Sequence, residues 1–243
     1  MIDLSCKYLG LQLKNPLIVG SSGLTSSIEN LKTIARLGAG AVVLKSIFEE
    51  QIKFDADKFI RSDNPEIRSW NEAFEGIVSK TEFYYEEAYE YLTSYAREHT
   101  LSGYLSLISD AKKEINIPVI ASINCSTQYD WQYFARRIEE AGADALELNV
   151  YLLPSDFDKT GIENEEVYFD IIKEVRKFIS IPVSLKIGYY FSSLARMAGK
   201  LSETGIAGLT LFNRPYNPDI DINTMKFTTS NIYSSETEFF KLE

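Results

Sequence analysis

Histidine is almost missing from this chain of 243 residues, and cysteine is scarce. The one histidine, His99, argues strongly against a histidine-ligated metal and against a Ser–His–Asp triad. The two cysteines, Cys6 and Cys125, lie far apart in the chain and form no CxxC motif. We therefore expect no metal site, and the cysteine usage favours a reduced, cytoplasmic setting.

Long apolar runs and positive charge are also lacking. No stretch has the length and purity of a membrane span, and the first ten residues do not resemble a signal peptide, so we expect a cytoplasmic protein. Lys and Arg number 25 against 35 Asp and Glu, which gives a formal net charge of −10. Such a surface repels nucleic acid and anionic membranes, so the partners that we expect are small molecules.

Six apolar runs are present instead, and each carries a polar or charged residue at or near its carboxyl end. They lie at residues 17–23, 41–46, 118–124, 145–150, 182–188 and 208–213. Lys45 and Lys186 close two of these runs, and asparagines 124, 149 and 213 close three others. Strands covered by helices on both faces should be nearly all apolar, and a charge there is costly unless it is paired. The carboxyl-end rim of an α/β barrel is where ligands bind, so the pattern predicts a polar small-molecule site there.

Helical patterns alternate with these runs. They cover residues 26–38, 130–142, 163–179 and 193–205, and each has apolar residues at helical spacing. The helix-to-strand joints repeat as RLGAGAVVLK, EAGADALELN and ETGIAGLTLF, and the strand starts repeat as INIPVIASIN and ISIPVSLKIG. Such a βα repeat forces parallel pairing within one α/β domain, which we place at residues 1–243.

Three segments depart from the repeat. Residues 5–18 predict an N-terminal hairpin that turns near Gly10, and residues 220–243 predict a polar hairpin or tail. Residues 49–104 form a long excursion, which is either a surface segment with a half-exposed helix or a loop over the barrel mouth. Six strands fall short of the eight in a closed TIM (β/α)8 barrel. We expect a barrel of this type without its last one or two βα units, or an open sheet.

Several of these segments together are similar to one enzyme family. The segments are Asn-Pro-Leu-Ile and Ser-Ser-Gly (15–23), Leu-Lys-Ser (44–46), Glu-Leu-Asn (147–149), Leu-Lys-Ile (185–187) and Phe-Asn (212–213). In order and spacing they resemble the dihydroorotate dehydrogenases, and the class 1 branch most of all. The resemblance implies an FMN-dependent barrel that oxidises dihydroorotate to orotate in pyrimidine biosynthesis.

The resemblance also implies roles for individual residues. It assigns flavin contacts to Ser22, Gly23, Lys45, Ser46, Asn149 and Lys186, and substrate contacts to Lys45, Asn149 and Asn213. Ser122 shares one strand face with Asn124, and it either bonds the flavin ring or satisfies backbone groups at the strand end. The expected ligands are FMN and a pyrimidine-like carboxylate, and the expected assembly is a homodimer.

The catalytic base of the family has no counterpart here. Leu152 stands where the class 1 enzymes have a cysteine, and leucine cannot accept a proton. Tyr151 and Ser155 are the nearby candidates, although neither has a visible activating group. The glycine-rich FMN phosphate site of the family follows strands seven and eight, and we expect the chain to end before them.

Two other functions stay open at this point. The chain could be a non-catalytic or truncated relative that binds a ligand or forms oligomers. It could also be a class I aldolase-type lyase in which Lys186 forms a Schiff base with a carbonyl substrate. Lys186 could instead have a structural role. Glu147 lies two residues before Asn149, so both residues face the same side of their strand, and Glu147 could form a buried ion pair with Lys186.

Overall fold

The computed structural model describes residues 2–48, 101–125, 128–152, 156–213, 219–222 and 225–228. Most of the predicted excursion, residues 49–100, lies outside these ranges, as do Ser155 and residues 229–243. No helix within the described ranges is both long enough and apolar enough to cross a lipid bilayer.

Short strands and longer helices follow one another along the chain. The strands are β1 (Cys6–Tyr8), β2 (Leu11–Leu13), β3 (Ile18–Val19), β4 (Ala41–Val43), β5 (Ile47–Phe48), β6 (Val119–Asn124), β7 (Ala145–Asn149), β8 (Val183–Ile187), β9 (Gly208–Leu211), β10 (Asp219–Asp221) and β11 (Lys226–Thr228). The helices are α1 (Ile28–Arg36), α2 (residues 101–114), α3 (Gln128–Glu140), α4 (Gly161–Val175) and α5 (Leu194–Ser202), with a 3₁₀ turn at Gly23–Thr25.

The main sheet is parallel and curled into half a barrel. Its strands lie in the order β3-β4-β6-β7-β8-β9, and β5 extends β4 by pairing with the far end of β6. A helix precedes each of β4, β6, β7, β8 and β9, as right-handed βα crossovers require. This confirms the predicted α/β architecture of the TIM-barrel type, and the antiparallel pair β1–β2 confirms the predicted N-terminal hairpin. The pair β10–β11 forms a second hairpin in the segment for which the sequence predicts a hairpin or a tail.

The repeated helix-to-strand joint has a common backbone geometry. Gly38, Gly142 and Gly205 follow three helices with φ of +100°, +94° and +80°. Only glycine enters this left-handed region at little cost, so each residue ends its helix and turns the chain toward the next strand. The sequence repeat is thus a repeat of local structure.

The two faces of the sheet differ in what covers them. The outer face carries apolar side chains such as Leu44, Ile123 and Leu185, which pack against the helices in one large core. The inner face is apolar only toward the amino ends of the strands, where Val43 and Ile120 meet Leu9 of the N-terminal hairpin. The hairpin therefore closes the amino end of the half-barrel, and the inner face beyond it is polar.

Gly40 allows two backbone segments to approach closely just before β4. A Cβ atom at this position would collide with the carbonyl oxygen of Asn15, whose own amide donates to the Gly38 carbonyl oxygen at 2.8 Å. We expect Gly40→Ala to destabilise the fold by roughly 1–3 kcal/mol, because backbone must shift to make room. Urea unfolding measures the loss in the free energy of unfolding.

Gly199→Ala, inside α5 with open space around it, should instead stabilise the fold by about 0.5–1 kcal/mol.

Glu139 fastens the end of α3 to the segment before β8. Its Oε1 atom accepts from Ser180 N at 2.7 Å, Ser180 Oγ at 2.6 Å and Ile181 N at 3.0 Å. Partial burial raises the pKa of Glu139, but these hydrogen bonds outweigh burial and hold the pKa below its usual range.

A depressed carboxyl pKa links this contact to acid stability. The stabilisation is fully present above the carboxyl pKa of the unfolded chain, near 4.5, and is lost as the pH falls through the lower folded-state pKa. We expect Glu139→Gln to be less stable than wild type at neutral pH and the difference to shrink in acid. Urea midpoints across this pH range test it, with Glu140→Gln as the exposed control; a constant difference would contradict the link.

Candidate functional site

Polar residues cluster on the inner face at the carboxyl ends of the central strands. The register pairs Ser122 with Glu147, Glu147 with Ser184, and Asn149 with Lys186 across β6, β7 and β8. Directly paired residues of neighbouring strands point to the same face of a sheet. Two polar layers therefore lie one above the other, as the alternation along each strand predicts.

The lower layer is centred on the carboxylate of Glu147, which is 3% exposed. Ser122 Oγ donates to Glu147 Oε1 at 3.4 Å, and Thr210 Oγ1 donates to Glu147 Oε2 at 2.9 Å. Tyr8 of the N-terminal hairpin lies with its hydroxyl 3.5 Å from Thr210 Oγ1. Hydroxyl groups thus satisfy both oxygens of a buried acid, which costs far less than leaving them bare.

Tyr104 of α2 supports the same layer from the other side of the sheet. Its hydroxyl accepts from Ser122 N at 2.9 Å and donates to Ser122 O at 3.1 Å. Burial raises the pKa of Tyr104 well above its usual value, so the hydroxyl stays protonated. Tyr104 therefore fixes the backbone position of Ser122.

Ser46 joins the lower layer to the upper one. Its Oγ lies 2.7 Å from Ser122 Oγ and 3.1 Å from Ser21 Oγ, and it accepts from Asn149 Nδ2 at 3.3 Å. Asn213 Nδ2 in turn donates to Asn149 Oδ1 at 2.5 Å. One hydrogen-bonded network thus runs from the hairpin to the carboxyl-end rim.

A β-bulge turns Ser46 into this network. Val43 pairs with Ile120 and Ile47 pairs with Ile123, so three residues (44–46) face two (121 and 122) across the strand pair. The extra residue shifts the alternation, and Ser46 points inward while Leu44 packs outward. The Lys45 side chain is exposed at the rim.

Lys186 lies half-buried on the inner face beside Asn149. Within the described ranges no carboxylate forms an ion pair with Lys186 or with Lys45. The alternative in which Glu147 pairs with Lys186 is not realised: Glu147 and Lys186 form no ion pair, and the two oxygens of Glu147 accept from the hydroxyls of Ser122 and Thr210. Lys186 is therefore a cation at the rim that forms no ion pair with any Asp or Glu in the described part of the chain.

Ser184 is a second group without a partner. It lies two residues before Lys186 on the same face, is fully buried, and its Oγ makes no hydrogen bond to any described group. Buried hydroxyls are nearly always bonded, so Ser184 is an exception among the described residues. Ser184 lies in the lower layer beside Glu147, one layer below Lys186.

In the described ranges, the remaining predicted residues lie apart from the hydrogen-bonded network. Ser22 caps the 3₁₀ turn by accepting from Leu24 N at 3.3 Å, and Ser22 and Gly23 are both exposed. Leu152 is half-buried against the outer core. Ser155 lies outside the described residues.

Aromatic rings line the rim beside Lys186. The Tyr151 and Tyr190 rings lie edge to face at 6.4 Å, Tyr190 and Tyr189 lie 4.5 Å apart, and Tyr189 and Phe212 lie edge to face at 6.4 Å. The sequence prediction included Tyr151 and missed the other three. The sequence feature that could have indicated these rings is the pair Tyr189–Tyr190 directly after the end of a strand, because ligand contacts often come from loops at strand ends.

The network also contains residues that sequence reasoning did not select. Ser21, Thr210, Tyr8 and Tyr104 all contact it. Thr210 could have been predicted as a site residue. It lies two residues after Gly208 on β9, on the same face, and its register partner on β8 is Lys186. The tyrosines could not, since they come from elements far away in the chain.

Comparison with known proteins gives a consistent result. The family model described as dihydroorotate dehydrogenase matches residues 3–234. The catalytic subunits of dihydroorotate dehydrogenase B (NAD(+)) from Methanocaldococcus jannaschii and Thermoplasma acidophilum are 24% and 27% identical over 94% and 96% of this chain. A protein of Aeropyrum pernix, provisionally named dihydroorotate dehydrogenase A (fumarate), is 34% identical over 51% of this chain.

The chain is shorter than these relatives. The matched regions span 41% of the Aeropyrum protein and 68% and 69% of the other two. Within that span the family match covers the whole half-barrel, including every strand that carries the polar network. The match over residues 3–234, together with the inner-face polar site on a parallel half-barrel, shows that this chain belongs to the dihydroorotate dehydrogenase family.

Proposed function

We propose that this chain is an FMN-dependent oxidoreductase whose flavin ring lies against the carboxyl-end rim of β7, β8 and β9. The observation that carries the proposal is Lys186, a half-buried cation with no described acid partner, placed beside the hydrogen-bonded amides of Asn149 and Asn213. A half-buried cation that has no ion-pair partner among the described residues favours an electron-rich ligand.

The residues at the rim fit such a ring. A flavin edge carries carbonyl oxygens and ring nitrogens that accept hydrogen bonds, and the ammonium of Lys186 supplies donors. Amide groups offer both donors and acceptors, which suits the mixed edge of a flavin or a pyrimidine. When bound, FMN supplies the hydride acceptor for oxidising a carbon–carbon bond next to a carbonyl group.

The substrate class follows from the groups that remain. We propose a small cyclic carboxylate resembling a pyrimidine, which Lys45 attracts at the exposed rim and which Asn149 and Asn213 orient by hydrogen bonds. Leu152 cannot take the proton that leaves such a substrate. We therefore do not propose that residue 152 accepts the proton when dihydroorotate is oxidised. Another group must accept that proton.

Flavin titration followed by substrate addition tests both parts. We expect purified protein to bind FMN with quenched flavin fluorescence, and dihydroorotate to bleach the flavin absorbance under anaerobic conditions. Failure to bind FMN would overturn the cofactor proposal. Binding without bleaching by dihydroorotate would overturn this substrate and leave the cofactor standing.

The lyase alternative has a distinct signature. Borohydride trapping of a carbonyl compound on Lys186, in protein that does not bind FMN, would support a Schiff-base mechanism instead. We expect no such adduct when intact mass is measured after borohydride treatment.

A further inference from the structure

A separate pocket of about 220 Å³ lies at the outer rim between α4 and the loop that follows β8. Its walls include Leu152, Asn164, Glu165, Tyr168, Tyr190 and Phe191, and we call it the rim pocket. It shares no residue with the hydrogen-bonded network of the inner face. Pockets for drug-sized ligands hold roughly 300–1,000 Å³, so this one suits a smaller molecule.

One helix face builds half of the rim pocket. Gly161, Asn164, Glu165 and Tyr168 follow a spacing of three, four and seven residues along α4, which places them on one side of the helix. The opposite wall comes from consecutive residues after β8, beginning with Tyr190. The rim pocket therefore lies between one helix and one loop of the half-barrel.

Aromatic side chains form part of the lining of the rim pocket. The rings of Tyr168 and Phe191 pack edge to face with their centroids 5.4 Å apart, and Tyr168 is only 3% exposed, so Phe191 and the partly exposed Tyr190 supply the ring surfaces that a ligand can reach. Burial raises the pKa of Tyr168 to about 12, and the ring therefore stays neutral at physiological pH. The faces of neutral aromatic rings carry partial negative charge that attracts cations.

The charged residue in the described lining of the rim pocket, Glu165, is negative, as are the faces of the aromatic rings. Glu165 is half-buried, and among the described residues it forms no ion pair. Among the residues that the structure describes, no lysine or arginine lines the pocket. The protein as a whole carries a formal net charge of −10, which raises the local concentration of cations.

We propose that the rim pocket binds a small organic cation, of the substituted-ammonium class, against the rings of Tyr190 and Phe191 and beside the carboxylate of Glu165. Aromatic faces and one carboxylate in a confined space form the arrangement that recognises quaternary ammonium groups. The proposal does not depend on FMN, because Lys186 and the hydrogen-bonded network lie outside the pocket; Tyr190 is the ring that the pocket shares with the aromatic rim beside Lys186.

A pair of isosteric probes tests the charge requirement. Choline and 3,3-dimethylbutan-1-ol have the same shape and differ in the nitrogen that carries the charge. Isothermal titration calorimetry on the intact chain should show choline binding at least roughly tenfold tighter than the neutral alcohol. Equal affinities, or no choline binding at millimolar concentration, would overturn the proposal.

Variants locate the binding. Glu165→Gln should weaken choline roughly fivefold, whereas Glu166→Gln, an exposed neighbour outside the pocket with the same charge change, should leave it unchanged. Tyr190→Leu keeps apolar bulk at a partly exposed position, removes a ring and should also weaken choline. Equal losses in Glu165→Gln and Glu166→Gln would show non-specific attraction and reject the site. Unchanged melting temperatures confirm that the variants fold.

Discussion

Replacing Lys186 by methionine is expected to weaken FMN binding by roughly tenfold to a hundredfold. Methionine keeps the unbranched apolar stem but removes the ammonium, and a hydrogen bond to a charged group contributes about 1.5–3 kcal/mol. Lys186 lies half-buried beside Asn149 with no described acid partner, so its charge is free to act on a ligand. Titration of flavin fluorescence measures the change in dissociation constant.

The matched control is Lys173→Met, which removes an exposed lysine from α4. It changes the net charge equally and should leave FMN affinity within a factor of two or so, since exposed charges are screened. If Lys186→Met binds FMN as tightly as wild type, Lys186 does not contact the flavin. If both variants lose affinity equally, the effect is one of net charge alone.

Replacing Glu147 by alanine is expected to lower the free energy of unfolding by about 2–4 kcal/mol. The change leaves a cavity in the inner face and deprives the hydroxyls of Ser122 and Thr210 of their acceptor. Each buried polar group that loses its partner costs about 1–3 kcal/mol, and the cavity adds to this. Urea unfolding at neutral pH measures the loss as a lower midpoint with an unchanged slope.

Glu147→Gln separates the hydrogen bonds from the volume. The amide keeps the shape and can accept from one hydroxyl and donate to the other, so we expect a loss of about 1 kcal/mol or less. Glu166→Ala, at an exposed position on α4, should be nearly neutral. A loss below about 1 kcal/mol for Glu147→Ala would mean that the network around Glu147 does not hold the half-barrel together.

Local patterns were enough to predict the order of strands and helices. The glycines at 38, 142 and 205 end helices with positive φ, as the repeated joints indicate, and the Ile-Pro pairs lead directly into β6 and β8. The common inner face of Glu147 and Asn149 also follows from the period of two along a strand. These features depend on neighbours within a few residues, and such neighbours are visible in the sequence.

The composition of the site depended on contacts between distant segments. The Lys-Ser pair at 45 and 46 gave no sign that a bulge exposes Lys45 and turns Ser46 inward, because the bulge exists only in the pairing with β6. Likewise Ser21, and not Ser22, bonds Ser46.

By itself, the sequence determined the βα repeat, the parallel sheet and the polar rim, because each follows from the spacing of apolar residues, glycines and prolines along the chain. The tertiary structure alone decided which hydroxyls donate hydrogen bonds to Glu147. It also decided that Lys186 forms no ion pair with any acid in the described part of the chain. The physical reason is that the partners of a buried polar group are chosen by strand register and by elements such as the N-terminal hairpin. Thr210 and Tyr8 are about two hundred residues apart, and only the closed end of the half-barrel brings them together.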